Sequence, residues 1–215
     1  VVRVSRNNAK VSLAESAHSV MRASRAQVDA IAASPEPVYG INTGFGSLSQ
    51  VRIDQEGLYT LQRNIVRSHA AGVGEALPKD IVRAMMLILS ASLARGHSGV
   101  RPELVEQLLF MLNENLTPVI PRRGSVGASG DLAPLAHLAM SLIGEGDIFA
   151  INRTQPTLVR LRAMGREPLV LEPKEGLALV NGTHMMCAIA ALTIADMNDI
   201  FHTAELSTAM AFDAC

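Results

Sequence analysis

The stretch "RRGSVGASGDLAPLAHLAM", residues 122–140, runs from two arginines through a cluster of small residues into an apolar pattern of helical spacing. Gly124, Gly127 and Gly130 recur at every third position, and Ala128, Ser129 and Gly130 stand directly before Asp131. Small, conformationally free residues at the mouth of a helix read first as a capping loop, with Asp131 as the cap and Pro134 in the first turn. The same residues also allow a reaction of the backbone. A glycine amide nitrogen can fold back on a nearby carbonyl, because glycine reaches conformations closed to other residues. Attack of the Gly130 nitrogen on the Ala128 carbonyl, with loss of two waters (one carrying the Ser129 hydroxyl), leaves a five-membered ring bearing an exocyclic methylidene. Such a ring is a strong electrophile, and a helix N-terminus beside it stabilises negative charge that develops during nucleophilic attack. The three residues alone leave both readings open, and capping is the commoner.

Outward from this loop the chain is punctuated as a series of helices. "SLAESAHSVMRASRAQVDAIAAS" (12–34) opens with Ser12 and Glu15 at capping-box spacing and is ended by Pro35 and Pro37. "EGLYTLQRNIVRSHAAGVG" (56–74) predicts a helix ending near Gly72, and "KDIVRAMMLILSASLARG" (79–96) one that is apolar nearly all round and therefore central. "PELVEQLLFMLNENL" follows, starting at Pro102 and stopped by Pro118. Beyond the loop, Asp147–Ile151 and Pro168–Leu171 are the plausible strands, and the rest from Lys174 onward is helical with one break at Asn181-Gly182. The expected class is mainly α with a few short strands.

Composition agrees with a packed protein and narrows the partners. Of 215 residues, 48% are hydrophobic and only 3% aromatic, with no Trp, so Ala, Leu, Val, Ile and Met must fill the core. A net charge of −1 without a basic block argues against nucleic acid, which requires a positive footprint. Two cysteines give no disulfide framework, and with ten methionines they suit a reducing, cytoplasmic setting. The runs around Met85–Leu89 and Met185–Ala195 are too short to cross a bilayer, so no membrane is expected. The sequence begins without Met and stops at "AFDAC" inside a helical pattern, as expected for a piece of a longer chain.

Common functional motifs do not fit. Neither glycine-rich stretch has the spacing or the Lys of a phosphate loop, and "GFGSLS" (44–49) lacks the third glycine of a dinucleotide fingerprint. A serine-hydrolase elbow fails because Asp131 stands where its last glycine belongs. His184 and Cys187 share a helix face without a second ligand pair, so no metal is expected.

The longer string "GSVGASGDLAPLAH" resembles the signature of the ammonia-lyase and aminomutase family that carries a 4-methylideneimidazol-5-one (MIO) group. "YGINTGFG" (39–46), "SHAAGVG" (68–74) and "KEGLALVNGTH" (174–184) extend the resemblance in the family's order over nearly the whole chain. "SHAAG" is more similar to the histidine branch than to the phenylalanine or tyrosine branches. The resemblance implies non-oxidative deamination of L-histidine to trans-urocanate and ammonia, with Ala128, Ser129 and Gly130 forming the MIO and no external cofactor. Phenylalanine or tyrosine lyase or aminomutase activity, or a scaffold without catalysis, are the alternatives. It also implies roles for single residues. Tyr39 would lie near the reacting carbons in acid–base work, His69 would contact the imidazole, Asn181 would serve the substrate carboxylate or the MIO carbonyl, and Asp131 would support formation of the MIO. His97, His137, His184 and His202 match no catalytic position, and Arg122 and Arg123 read as solvated charges that could orient the loop. Residues 1–215 would then be the N-terminal part of such an enzyme, with the loop at 124–131, leading into the start of a long-helix bundle. The C-terminal helical half is absent, so this piece alone is expected to be inactive, while the full-length parent is expected to be a homotetramer with shared active sites.

Overall fold

The computed structural model describes residues 1–127 and 130–215, Gln55 by its backbone alone. Ala128 and Ser129 therefore lie outside the described residues. Nine helices are described: α1 (Val2–Ser5), α2 (Glu15–Ala33), α3 (Gln55–His69), α4 (Lys79–Leu93), α5 (Pro102–Asn113), α6 (Leu132–Leu142), α7 (Thr157–Ala163), α8 (Glu175–Val180) and α9 (His184–Ala214). Two antiparallel ribbons accompany them, β1 (Val73–Ala76) with β2 (Pro121–Arg123), and β3 (Asp147–Ala150) with β4 (Arg153–Pro156). The mainly α class is as the sequence indicates.

As its all-round apolar pattern predicts, α4 is the central helix. Val82, Ala84, Met85, Met86 and Leu89 on it are fully buried, and it packs on α1, α5 and α9. Arg83, on the same helix, is buried as well; it donates to the carbonyls of Val4, Ser5 and Leu112 and so staples the N-terminal turn to the core. Burial holds its pKa below the usual guanidinium value.

Four expectations need correction. The Ser12/Glu15 capping box does not form: Ala14 is the N-cap of α2 and has no side-chain cap, so Glu15 serves only as an acidic first-turn residue. Pro168–Leu171 is not a strand; Leu169 donates to the Leu142 carbonyl at the end of α6, with no ladder beyond it among the described residues. The strands that do form at 73–76, 121–123 and 153–156 are too short to show an alternating pattern. Finally, the run Met185–Ala195 is only part of α9, and the 31-residue helix is long and apolar enough to cross a membrane by length and composition alone. It carries Asp196, Asp199, Glu205 and Asp213 along its length, and Ile200, Phe201, Leu206 and Phe212 are exposed on it.

The β1–β2 ribbon does most to position the loop. β1 begins four residues after His69, and β2 ends at the residue before Gly124, so pairing Val73 with Arg123 brings the end of α3 to the start of the 124–131 loop.

Candidate active site

The described ends of the loop are pinned from three sides. Ser125 Oγ donates to Asp131 Oδ1 over 2.7 Å and accepts from the Gly127 amide at 3.2 Å, closing the segment on itself. Asp131 is fully buried. Its other oxygen, Oδ2, accepts from the amides of Met185 at 2.8 Å and Met186 at 3.0 Å, in the first turn of α9. The expected cap is thus present but on a different helix. The Asp131 carbonyl takes the first hydrogen bond of α6, from Leu135, whereas its carboxylate makes no bond to α6 and caps α9 instead. A carboxylate at the start of a 31-residue helix satisfies orphan amides and faces the positive end of the helix dipole.

The backbone completes the lock. The Asp131 amide donates to the Gly182 carbonyl at 2.7 Å, which sets Asn181-Gly182 against Gly130. Gly130 is buried with φ +136°, a left-handed value that favours glycine, and a Cβ there would press on that same Gly182 carbonyl at 3.2 Å. A Cβ on Gly182 would meet the His184 ring at 2.2 Å, so any larger residue there requires that ring to move. These flanks fit a segment in which a glycine nitrogen is to reach back two residues: the turn is permitted, its ends are fixed, and Gly130 and Asp131 are buried.

The other candidate residues reach this hub through their backbones. Behind His69, the Gly72 amide donates to His137 Nε2 at 3.1 Å, and a Cβ on Gly124 would sit 3.2 Å from Gly72 Cα. His69 Nδ1 lies 2.8 Å from the Ile65 carbonyl and 3.1 Å from Ser68 Oγ; a carbonyl can only accept, so the first contact suits the Nδ1–H tautomer. Tyr39 stands further out. It is 56% exposed, edge-on to Phe45 with centroids 6.2 Å apart, and its loop joins the rest through Gly40, where a Cβ would meet Leu177 of α8 at 2.5 Å. The buried Asn42 braces that loop, its Oδ1 accepting from Val38 and its Nδ2 donating to Ile31 and Glu36 carbonyls. Asn181 is exposed at the end of α8. The structure thus gathers Gly130, Asp131, Gly182 and the segment behind His69, while the side chains of Tyr39 and Asn181 face outward. Arg122 and Arg123 are exposed. Among the described residues no cluster of three or more His, Cys, Asp or Glu could hold a metal ion.

Two histidines passed over in the sequence are structural parts of this hub. Burial pushes the His137 pKa below its usual value, and Nε2 already accepts the Gly72 amide. Burial also lowers the pKa of His184, opposed by the nearby Asp131 carboxylate. For a histidine whose folded pKa lies below its unfolded one, the unfolded chain binds more protons as pH falls through the unfolded value of about 6.5. Its contribution is fully present above that pH and is lost below it. The melting temperature is therefore expected to be flat between pH 7 and 8 and to fall from pH 6.5 toward pH 5. His137→Gln, which keeps an acceptor for Gly72, should reduce that fall; an unchanged acid limb in thermal melts would rule His137 out as its source.

Comparison with known proteins points the same way as the geometry. The sequence profile of the family described as aromatic amino acid lyase matches residues 1–215. Histidine ammonia-lyase of Myxococcus xanthus is 50% identical over 213 residues, covering 99% of this chain and 42% of that protein. Among solved structures, tyrosine aminomutase from Streptomyces globisporus is 41% identical with a TM-score of 0.84, over 90% of this chain and 36% of that one. Histidine ammonia-lyase from Trypanosoma cruzi is 38% identical with a TM-score of 0.82, over 90% and 38%. The chain spans about 42% of the length of the curated relatives it matches.

Proposed function

We propose, for a chain that belongs to the aromatic amino acid lyase family, that the whole protein eliminates ammonia from L-histidine to give trans-urocanate. The observation that carries this is the loop ending in Gly130-Asp131, held by Ser125, Gly182 and the start of α9. The MIO derived from Ala128-Ser129-Gly130 would supply an electrophile for the substrate amine. Ala128 and Ser129 lie outside the described residues, so support comes from their flanks. Gly130 is buried and holds a backbone angle that favours glycine, which supports the reading.

The chain's own groups take the remaining tasks. His69 presents Nε2 as an acceptor, suited to an imidazole N–H, because Nδ1–H is committed to Ile65. The Asn181 amide donates to the substrate carboxylate or to a carbonyl oxygen. Tyr39 handles a proton at its phenolic oxygen near the carbon from which the β-proton departs. Asp131 fixes the loop and exchanges no proton with substrate. Exposed Tyr39 and Asn181 leave room for further groups of the full-length protein to complete the site. The 215 residues form its N-terminal part, and the exposed apolar side chains of α9 pack in a helix bundle of a homotetramer.

The similarity to tyrosine aminomutase at 41% identity motivates the second reading, a lyase or mutase for an aromatic amino acid of the same family. Intact mass and a substrate panel on the full-length protein decide. A mass about 36 Da below the sequence value, for two waters lost, is expected together with urocanate from histidine. An active enzyme with unmodified mass sinks the MIO assignment, and turnover of tyrosine or phenylalanine without histidine moves the substrate.

A further inference from the structure

We infer that Gln62 is a positioning residue of the proposed reaction, acting through α8, which it latches to α3 by its side-chain carbonyl oxygen. Gln62 is fully buried, and its Oε1 accepts from the Gly176 amide at 2.9 Å and from the Leu177 amide at 3.4 Å. Its Nε2 has no hydrogen-bond partner among the described residues. The amide group is therefore held by its acceptor alone; an apolar residue of the same length would remove the unpaired Nε2 but leave the buried Gly176 amide without its acceptor, so it is the bond to α8 that calls for a glutamine here.

What α8 touches gives the latch its purpose. Toward its start, Glu175 is fully buried, and its two oxygens accept from the Arg101 amide, Nε and Nη2 and from the Glu172 amide, at 2.7–3.0 Å. In its middle, Leu177 fills the space at Gly40, next to Tyr39. At its end come Asn181 and Gly182, whose carbonyl receives the Asp131 amide. Gln62, Ile65 and His69 follow one another along α3 at i, i+3 and i+7, so one face of that helix carries the latch, the contact and the candidate substrate ligand. Ile65 bridges them: its carbonyl takes the His69 Nδ1 proton, and its side chain lies against Gly176. The six residues of α8 thus link the four places where the proposed chemistry needs groups, and Gln62 sets their register against α3.

This inference rests on the proposed deamination, and the test separates the two. In the full-length protein, Gln62→Met conserves length and removes the acceptor, whereas Gln62→Glu keeps an acceptor for the same two amides. Hydrogen exchange over residues 175–183, intact mass, and kcat and KM for histidine are measured on all three proteins. For Gln62→Met, faster exchange of the Gly176 and Leu177 amides is expected, with kcat down at least tenfold and the folded fraction retained. Gln62→Glu should stay within about threefold of the parent in kcat and show parental exchange. Parental kcat and exchange in Gln62→Met would overturn the inference, as would a Gln62→Glu variant impaired as deeply as Gln62→Met. A parent that does not deaminate histidine overturns the functional reading instead, and the exchange arm then decides the latch.

Discussion

Asp131→Asn in the full-length protein is expected to block the loss of two waters and to lower the melting temperature in the same protein. The buried carboxylate accepts from Ser125 Oγ, Met185 N and Met186 N, of which the Met185 amide is buried and the other two donors are half-buried. Asparagine keeps the shape but loses the charge: with its oxygen on the two α9 amides, its NH2 faces Ser125 Oγ, which must turn from donor to acceptor. Bonds to a charged acceptor are worth about 1.5–3 kcal/mol against about 1 kcal/mol for neutral ones, so weakening three of them is expected to cost about 3 kcal/mol. The chemical effect is larger than the thermal one. With Asp131 no longer holding both Ser125 and α9, the Gly130 nitrogen is not kept in reach of its target, and intact mass should show the unmodified chain with activity at background. A variant with parental melting and the full mass loss would refute the lock.

Gly176→Ala should have the opposite sign from the usual helix substitution. In an exposed helix the change gains about 1 kcal/mol in propensity. Here the added Cβ would lie 2.5 Å from the Gln62 carbonyl oxygen and 2.8 Å from Ile65 Cγ2. The first of these is backbone, which cannot swing aside, so α8 must separate from α3. Overpacking of this kind costs about 1–3 kcal/mol. A displacement of about 1 Å carried to Asn181 lowers turnover by about a hundredfold. Kinetics and thermal melts of Gly176→Ala check both numbers, and parental turnover would show that α8 can shift without consequence.

The longer helices and the break at Asn181-Gly182 were legible because their punctuation is local: Pro35, Pro102 and Gly96 act on their neighbours in sequence, whereas α1 and α7 are too short to show a helical period. The central place of α4 was legible for a similar reason, since its pattern leaves no polar face. Contacts between distant segments were not. Nothing near Asp131 indicates that its partners are the amides of residues 185 and 186, and a capping aspartate naturally suggests its own helix. Gln62 and Asn42 look like surface polar residues until their hydrogen-bond partners are traced, and β1–β2 is too short for any periodic signal. Among the site residues, the positions of Gly130 and Asp131 followed from the loop itself. Tyr39, His69 and Asn181 came from resemblance; the fold sets Asn181-Gly182 and the segment after His69 beside the loop, while Tyr39 stands further out.

The cap that Asp131 places on α9 also orders events in time. Its two amide partners are 54 and 55 residues further along the chain, and a polypeptide emerging from the ribosome exposes the loop well before it exposes them. While synthesis stands at Leu142, the small residues of the loop and all of α6 exist, yet the carboxylate has nothing to hold on that side. Under the proposed chemistry the electrophile is therefore made late, after α9 has begun to wind, and a nascent chain is spared a reactive group before it has a fold to shelter it.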